Sequence, residues 1–213
     1  MAVVNAYAAE DEFKNWLLVN GTFENQHTSL LEDHLTVASR TIDGLCGGRQ
    51  FWLDGSVTTL TYRVRRDGER VGLVDGCEAW VADIGSTSGL IVKTDPGLNF
   101  GWSETWTINT DFVLEPLRGR DSSARAWWQI MAVGSKRFVH DPVRATLQVT
   151  ALHGWSAVPA NVKQACLALA GRLEFARRSP GGLASFGDFA VMRLAREDPV
   201  VMGLLADYML PGV

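Results

Sequence analysis

The amino-acid sequence predicts an α+β chain: a small helical core contributed by both ends, with an antiparallel β domain inserted between them. Three observations predict it. Apolar residues recur at helical spacing near each end of the chain. The long stretch between them alternates with a period of two. The composition, 46% hydrophobic and 21% charged over 213 residues, is that of an ordinary globular protein. The expected boundaries are 1–48 for the N-terminal helices, 49–154 for the inserted β-rich region and 155–213 for the C-terminal helices.

A short first helix is expected from Ala9 to Val19, with Glu10, Asp11 and Glu12 favouring its positive end. A second follows Asn25, where Leu31, Leu35, Ala38, Ile42 and Leu45 step by four and three along one face. Ser29 and Glu32 have capping-box spacing at its start, and Gly47 and Gly48 end it. The pattern then switches. Val57 to Val64 alternates, and Asp67-Gly68 reads as a tight turn into Arg70 to Val74. Further strands are expected over Leu90 to Lys93, Glu104 to Ile108, Trp127 to Val133 and Ala145 to Leu152, as a small barrel or sandwich. Helix returns near Pro159, with Val162, Cys166, Leu169, Leu173 and Ala176 repeating the earlier spacing. Arg177 and Arg178 suit its negative end, and Ser179-Pro180-Gly181-Gly182 stops it. Phe189 to Leu194 reads as a short strand, and Asp198-Pro199 announces a last helix as N-cap and first residue. Neither striped helix can bury its stripe alone, so the two are expected to pair.

Bulk properties exclude several classes. A net charge of −4 argues against coating nucleic acid, which needs a basic face to replace condensed counterions. No apolar run approaches the roughly 20 residues that cross a bilayer. The opening, MAVVNAYAAEDEF, lacks a basic start and soon turns acidic, so no signal peptide is expected. Cys46, Cys77 and Cys166 are too few and too far apart for a disulfide framework, which points to a reducing compartment.

No catalytic signature emerges. Gly85-Ser86-Thr87-Ser88-Gly89 has threonine where a nucleophile elbow needs serine, and reads as a polar turn between strands. His27 and His34, seven apart, could share a helix face, but no third ligand lies nearby. His140 and His153 are scattered. Neither a Walker pattern nor GxGxxG occurs. Asp75, Asp83, Asp95, Glu104 and Asp111 dot the β region, and nothing in their spacing pairs them as acid and base.

Two features exceed a bland expectation, and the charge distribution adds a weaker hint. Of eight tryptophans, Trp102, Trp106, Trp127, Trp128 and Trp155 lie in or beside the second half of the β region. Trp127 and Trp128 are adjacent and cannot both face inward on a strand, so one is expected at an interface. From Pro199 to Val213 the only charge is Asp207, and Val200, Val201, Met202, Leu204, Leu205, Tyr208, Met209 and Leu210 surround nearly the whole helix. Either it is a core helix, or one face packs at home while Met202, Leu205, Tyr208, Met209 and Leu210 meet a partner. Residues 1–46 hold seven acids against Lys14 and Arg40, leaving the rest near neutrality. That run is either a solvated face or, at Glu32 and Asp33, a lining that keeps passing DNA from sticking.

Four blocks resemble a known family, the head-to-tail connector (adaptor) proteins of siphophages and gene transfer agents. They are Val4-Asn5-Ala6-Tyr7-Ala8 before an acidic helix with Phe13 and Trp16; LEDHLTVASRTIDGLCGGRQF from Leu31 to Phe51, similar to an AS..ID..CGR.F pattern; HGWSAVPANVKQACLALAGRL from His153 to Leu173; and Phe186-Gly187-Asp188-Phe189 leading into Arg196-Glu197-Asp198-Pro199. Leu45 stands where relatives often carry an aromatic residue, Gly48 is an extra residue after Cys46-Gly47, and the β region matches loosely. The resemblance implies a virion protein without catalytic residues or cofactor. It would form a ring, usually dodecameric in that family, between the portal and the stopper. It would extend the DNA channel, with its C-terminal helix and tail towards the portal. Rival readings are another neck protein, such as a stopper or tail-completion protein, a tryptophan-rich carbohydrate- or host-binding module, and a hydrolase built from distant carboxylates.

Overall fold

A computed structural model describes residues 5–17, 25–64, 77–117, 126–178, 196 and 198–210. The chain divides into two compact units, one of Met1–Trp52 with Val158–Val213 and one of Leu53–Ala157. The class is α+β, as the periodicities predict.

The first unit is helical: α1 (Glu10–Trp16), α2 (Asn25–Leu45), α3 (Ala160–Arg178), α4 (Pro199–Leu205) and a closing 3-10 turn, Ala206–Tyr208. All five stripe residues of α2 are buried. In α3, Val162, Cys166 and Leu169 are buried but Leu173 and Ala176 are only half-buried. A stripe that steps by four and three averages 3.5 residues per turn, so it drifts off the 3.6-residue helix it rides on. Ala165, Ala170 and Glu174 complete the buried face instead. Ser39 Oγ lies 3.4 Å from Cys166 Sγ where α2 meets α3, so the expected pairing of the two striped helices holds.

Helix ends show one correction. No capping box forms at Ser29, because α2 already begins at Asn25; residues 25–28 contain neither Gly nor Pro, and nothing there stops the helix propagating backwards. A half-box sits at α1, where Glu12 Oε2 accepts from the Ala9 N–H at 2.9 Å. The exit of α2 is as expected: Gly47 and Gly48 are left-handed (φ 77° and 82°), and the Gly48 N–H donates to the Asp43 carbonyl at 2.7 Å.

Among the described residues the second unit holds one antiparallel sheet of β1 (Thr58–Tyr62), β2 (Glu78–Thr94), β3 (Glu104–Trp106), β4 (Phe112–Glu115), β5 (Trp127–Ala132) and β6 (Leu147–His153). The order is β1-β6-β2-β5-β4, with β3 also on β2. Tyr62 opposes Leu147 and Val92 opposes both Val149 and Trp106, which places one apolar face on a core with Ile84, Phe112 and Ile130, while Leu60, opposite Val149, stays exposed. Phe138 stacks on Trp106 at 4.7 Å.

Two strand expectations need correction. Gly85 to Gly89 is no connecting turn: β2 runs through it, with register shifts on either side of Ser86. A Cβ on Gly85 would lie 2.4 Å from Leu53 Cδ1 and 2.8 Å from the Gly154 carbonyl oxygen, and Gly89 is left-handed at φ 73°. These glycines mark bulges and a close backbone approach, which mimic turn punctuation in sequence. Strand β4 is absent from the sequence reading, being too short to declare an alternation. The hairpin at Asp67-Gly68 with its strand Arg70 to Val74, the stop at Ser179 to Gly182 and the strand Phe189 to Leu194 lie outside the described residues.

Candidate functional site

The C-terminal segment is built from its cap outward. Asp198 accepts from the Val200 N–H at 2.9 Å, and Pro199 occupies the first turn, as their residue types dictate. The Asp198 carboxylate, fully buried, also meets Arg172 Nη2 at 2.5 Å. Val201 and Leu205 are completely buried on the helical unit. Leu205 is therefore a core residue and not an open partner contact; the i, i+4 step from Val201 puts both on the inward face. Met202, Tyr208, Met209 and Leu210 are half-buried and Val200 is 57% exposed, so apolar surface does remain on the outer side.

A polar and aromatic junction lies where the N-terminal strap, residues 5–9, crosses the exit of α2. Tyr7 is buried; its N–H donates to Ser39 Oγ at 3.0 Å and its hydroxyl donates to Asp43 Oδ1. That hydroxyl oxygen accepts from the Phe51 N–H at 3.0 Å. Arg40 bridges the rest: Nε meets Asp43 Oδ2 at 3.1 Å, Nη2 donates to the Asn5 carbonyl at 2.9 Å, and the guanidinium lies 4.3 Å from the Trp52 ring. Burial pushes the Asp43 carboxyl up to about 6, and burial beside Asp43 raises the Tyr7 hydroxyl well above its ordinary range. Phe51 then stands edge-on to Tyr208 at 5.7 Å, and Arg49 Nη1 donates to the Tyr208 carbonyl at 3.0 Å.

Other candidates scatter. Trp127 and Trp128 are both half-buried, Trp127 packing against the sheet core. Trp106 and Trp155 are buried and Trp102 is half-buried. Asp33 is exposed and Glu32 half-buried on α2. Acids of the β region serve separate local ends: Asp83 accepts from Trp155 Nε1 at 2.8 Å, Asp95 from the Phe100 N–H at 2.5 Å, Asp111 from the Thr107 N–H at 2.8 Å, and Glu104 pairs with Lys136. Asp75 lies outside the described residues. His34 Nδ1 sits 3.5 Å from Glu174 Oε2, whose carboxylate takes a bidentate contact from Arg177 at 2.8 and 3.0 Å. Burial lowers the His34 pKa, which disfavours the charged imidazolium. His140 Nδ1 is bonded to the Val64 carbonyl at 2.9 Å. Among the described residues no three His, Cys, Asp or Glu side chains gather as metal ligands. No described helix is long and apolar enough to cross a membrane.

Two features carry little local sequence signal. Arg49 and Asp43 looked like ordinary surface charges; their burial follows only from tertiary placement. The connector between β2 and β3 holds Leu98, Phe100 and Trp102 at positive φ (54°, 60° and 43°) and leaves Phe100 57% exposed. Its Asp-Pro-Gly start was the available signal of a tight loop.

No protein-family model matches the chain, and no curated protein matches it. Solved structures do. A chain in the neck of an empty GTA particle, computed with C6 symmetry, superposes with a TM-score of 0.55 at 18% identity, covering 100% of this chain and 94% of that one. A chain in the neck of a native GTA particle, computed with C12 symmetry, gives 0.52 at 18% identity with the same coverage. At that identity the likeness is one of fold, and it extends over both units: the chain has the fold of chains found in the necks of GTA particles.

Proposed function

We propose that this chain is a structural component of a virion neck: a head-to-tail adaptor that assembles as a ring, dodecameric by resemblance, between the portal and the stopper or tail. The observation that carries this reading is the full-length match to two neck chains, which spans the helical unit and the sheet together. The ring would extend the DNA channel without reading sequence.

The proposed portal-facing surface is the outer side of α4 and the turn after it, namely Met202, Tyr208, Met209 and Leu210. Removing all of 199–213 would also remove Val201 and Leu205 from the core, so point changes are the cleaner probe. Cross-linking and negative-stain imaging of the chain mixed with the portal encoded beside it should give stacked rings. Met202→Glu with Leu210→Glu should weaken stacking at least tenfold while the chain stays folded. A chain that remains monomeric and ignores the portal would end this reading. Trp127 and Trp128 are proposed as a contact with a neighbouring copy or partner, and Glu32 and Asp33 as acids facing passing DNA. Neutralising Glu32 and Asp33 without effect on DNA passage would remove the last assignment.

A further inference from the structure

We infer that the two ends of the helical unit form a single coupled latch: the strap at residues 5–9 and the C-terminal turn at 206–210 are joined through Arg49–Trp52, so that loosening either end loosens the other. The inference goes beyond the virion reading and does not depend on it.

The geometry is a short chain of contacts with Phe51 in the middle. Phe51, fully buried, meets Tyr7 edge-to-face at 5.6 Å (81°) and Tyr208 edge-to-face at 5.7 Å (86°). Such aromatic pairs have a preferred geometry, and moving one ring degrades the contact on both of its sides. A main-chain hydrogen bond reinforces each aromatic contact: the Phe51 N–H donates to the Tyr7 hydroxyl oxygen, and Arg49 Nη1 donates to the Tyr208 carbonyl, each at 3.0 Å. Arg49 is only 5% exposed. A buried guanidinium aimed at a backbone carbonyl at the end of a helical turn satisfies a group that the turn cannot satisfy itself.

The joining segment can transmit motion because regular structure does not hold it. Residues 49–51 follow two left-handed glycines and belong to no helix or strand. Phe51 ties this segment to the strap, and Arg49 and Phe51 tie it to the turn. On the strap side those contacts converge on Asp43, which receives the Tyr7 hydroxyl and Arg40, while Arg40 also holds the Asn5 carbonyl and covers Trp52. A partner that displaced the C-terminal turn would therefore withdraw support from Phe51 and then from Tyr7. By reciprocity, a partner that captured the strap would free the turn.

Hydrogen exchange read by mass spectrometry on the intact chain tests the coupling. Tyr7→Phe keeps the ring and removes the hydroxyl. It should speed exchange over residues 201–210 by about fivefold or more, the lower end of typical coupling, while residues 162–170 of α3 stay protected. Arg49→Lys, which alters neither the strap nor Asp43, should in return speed exchange over residues 5–13. Exchange that rises only at the mutated end in both variants overturns the inference. So does a rise spread evenly over the unit, α3 included.

Discussion

At the scale of single residues, Asp43 and His34 set opposite pH responses within one helical unit. Asp43 has its pKa raised from 3.8 to about 6 by burial, so the folded state prefers it protonated. Its contribution to stability is then fully present below 3.8 and is lost as pH rises towards 6, by about 3 kcal/mol at most. His34 has a lowered pKa, so its contribution is present above its ordinary 6.5 and is lost as pH falls. Subtracting one protein from a variant separates the two. The stability of the wild type minus that of Asp43→Asn, from urea unfolding, should move in favour of the wild type between pH 7 and pH 5. A difference that is flat across that range would show that Asp43 is not held ionised and buried at neutral pH. None of this was legible in the sequence, where Asp43 counted only as one acid in an acidic run. Its environment is made by Tyr7, 36 residues away.

Elements were legible where their own periodicity decides them. The stripe of α2, the glycine exit after Leu45 and the Asp198-Pro199 start of α4 were all read correctly, because caps and apolar spacing act locally. Elements decided by neighbours were not. The path of β2 through Gly85 to Gly89 depends on Leu53 and Gly154 closing over Gly85, which no local signal announces. Gly85→Ala should accordingly destabilise the chain by about 1–3 kcal/mol, since the backbone oxygen 2.8 Å from the new Cβ cannot swing aside. Asp198→Ala removes both the cap on α4 and the partner of Arg172, and should cost about 1–2 kcal/mol. Ser29→Ala, inside a helix that starts at Asn25, should change stability by less than about 0.5 kcal/mol. Thermal or urea unfolding of the three variants checks the ranking. A Ser29→Ala loss as large as that of Asp198→Ala would restore the cap at Ser29.

At the scale of the whole molecule, the class was visible because two helical stripes bracket a stretch of period two. The site was visible only in outline. Composition flagged 199–213 as too apolar for one exposed face, yet it could not separate Leu205, which is core, from Met202 and Leu210, which keep surface. That separation is a matter of helix phase against α3, fixed by packing. The assembly role proposed for those outward residues rests on the fold shared with neck chains over the full length. The most direct test is to image the chain with its portal by electron microscopy without imposed symmetry and to count subunits around the axis. The expected result is a closed ring seated on the portal, twelve copies by resemblance, with the outer side of α4 at the contact. Single copies scattered on the portal, or a ring that seats on it through the sheet unit, would contradict the account.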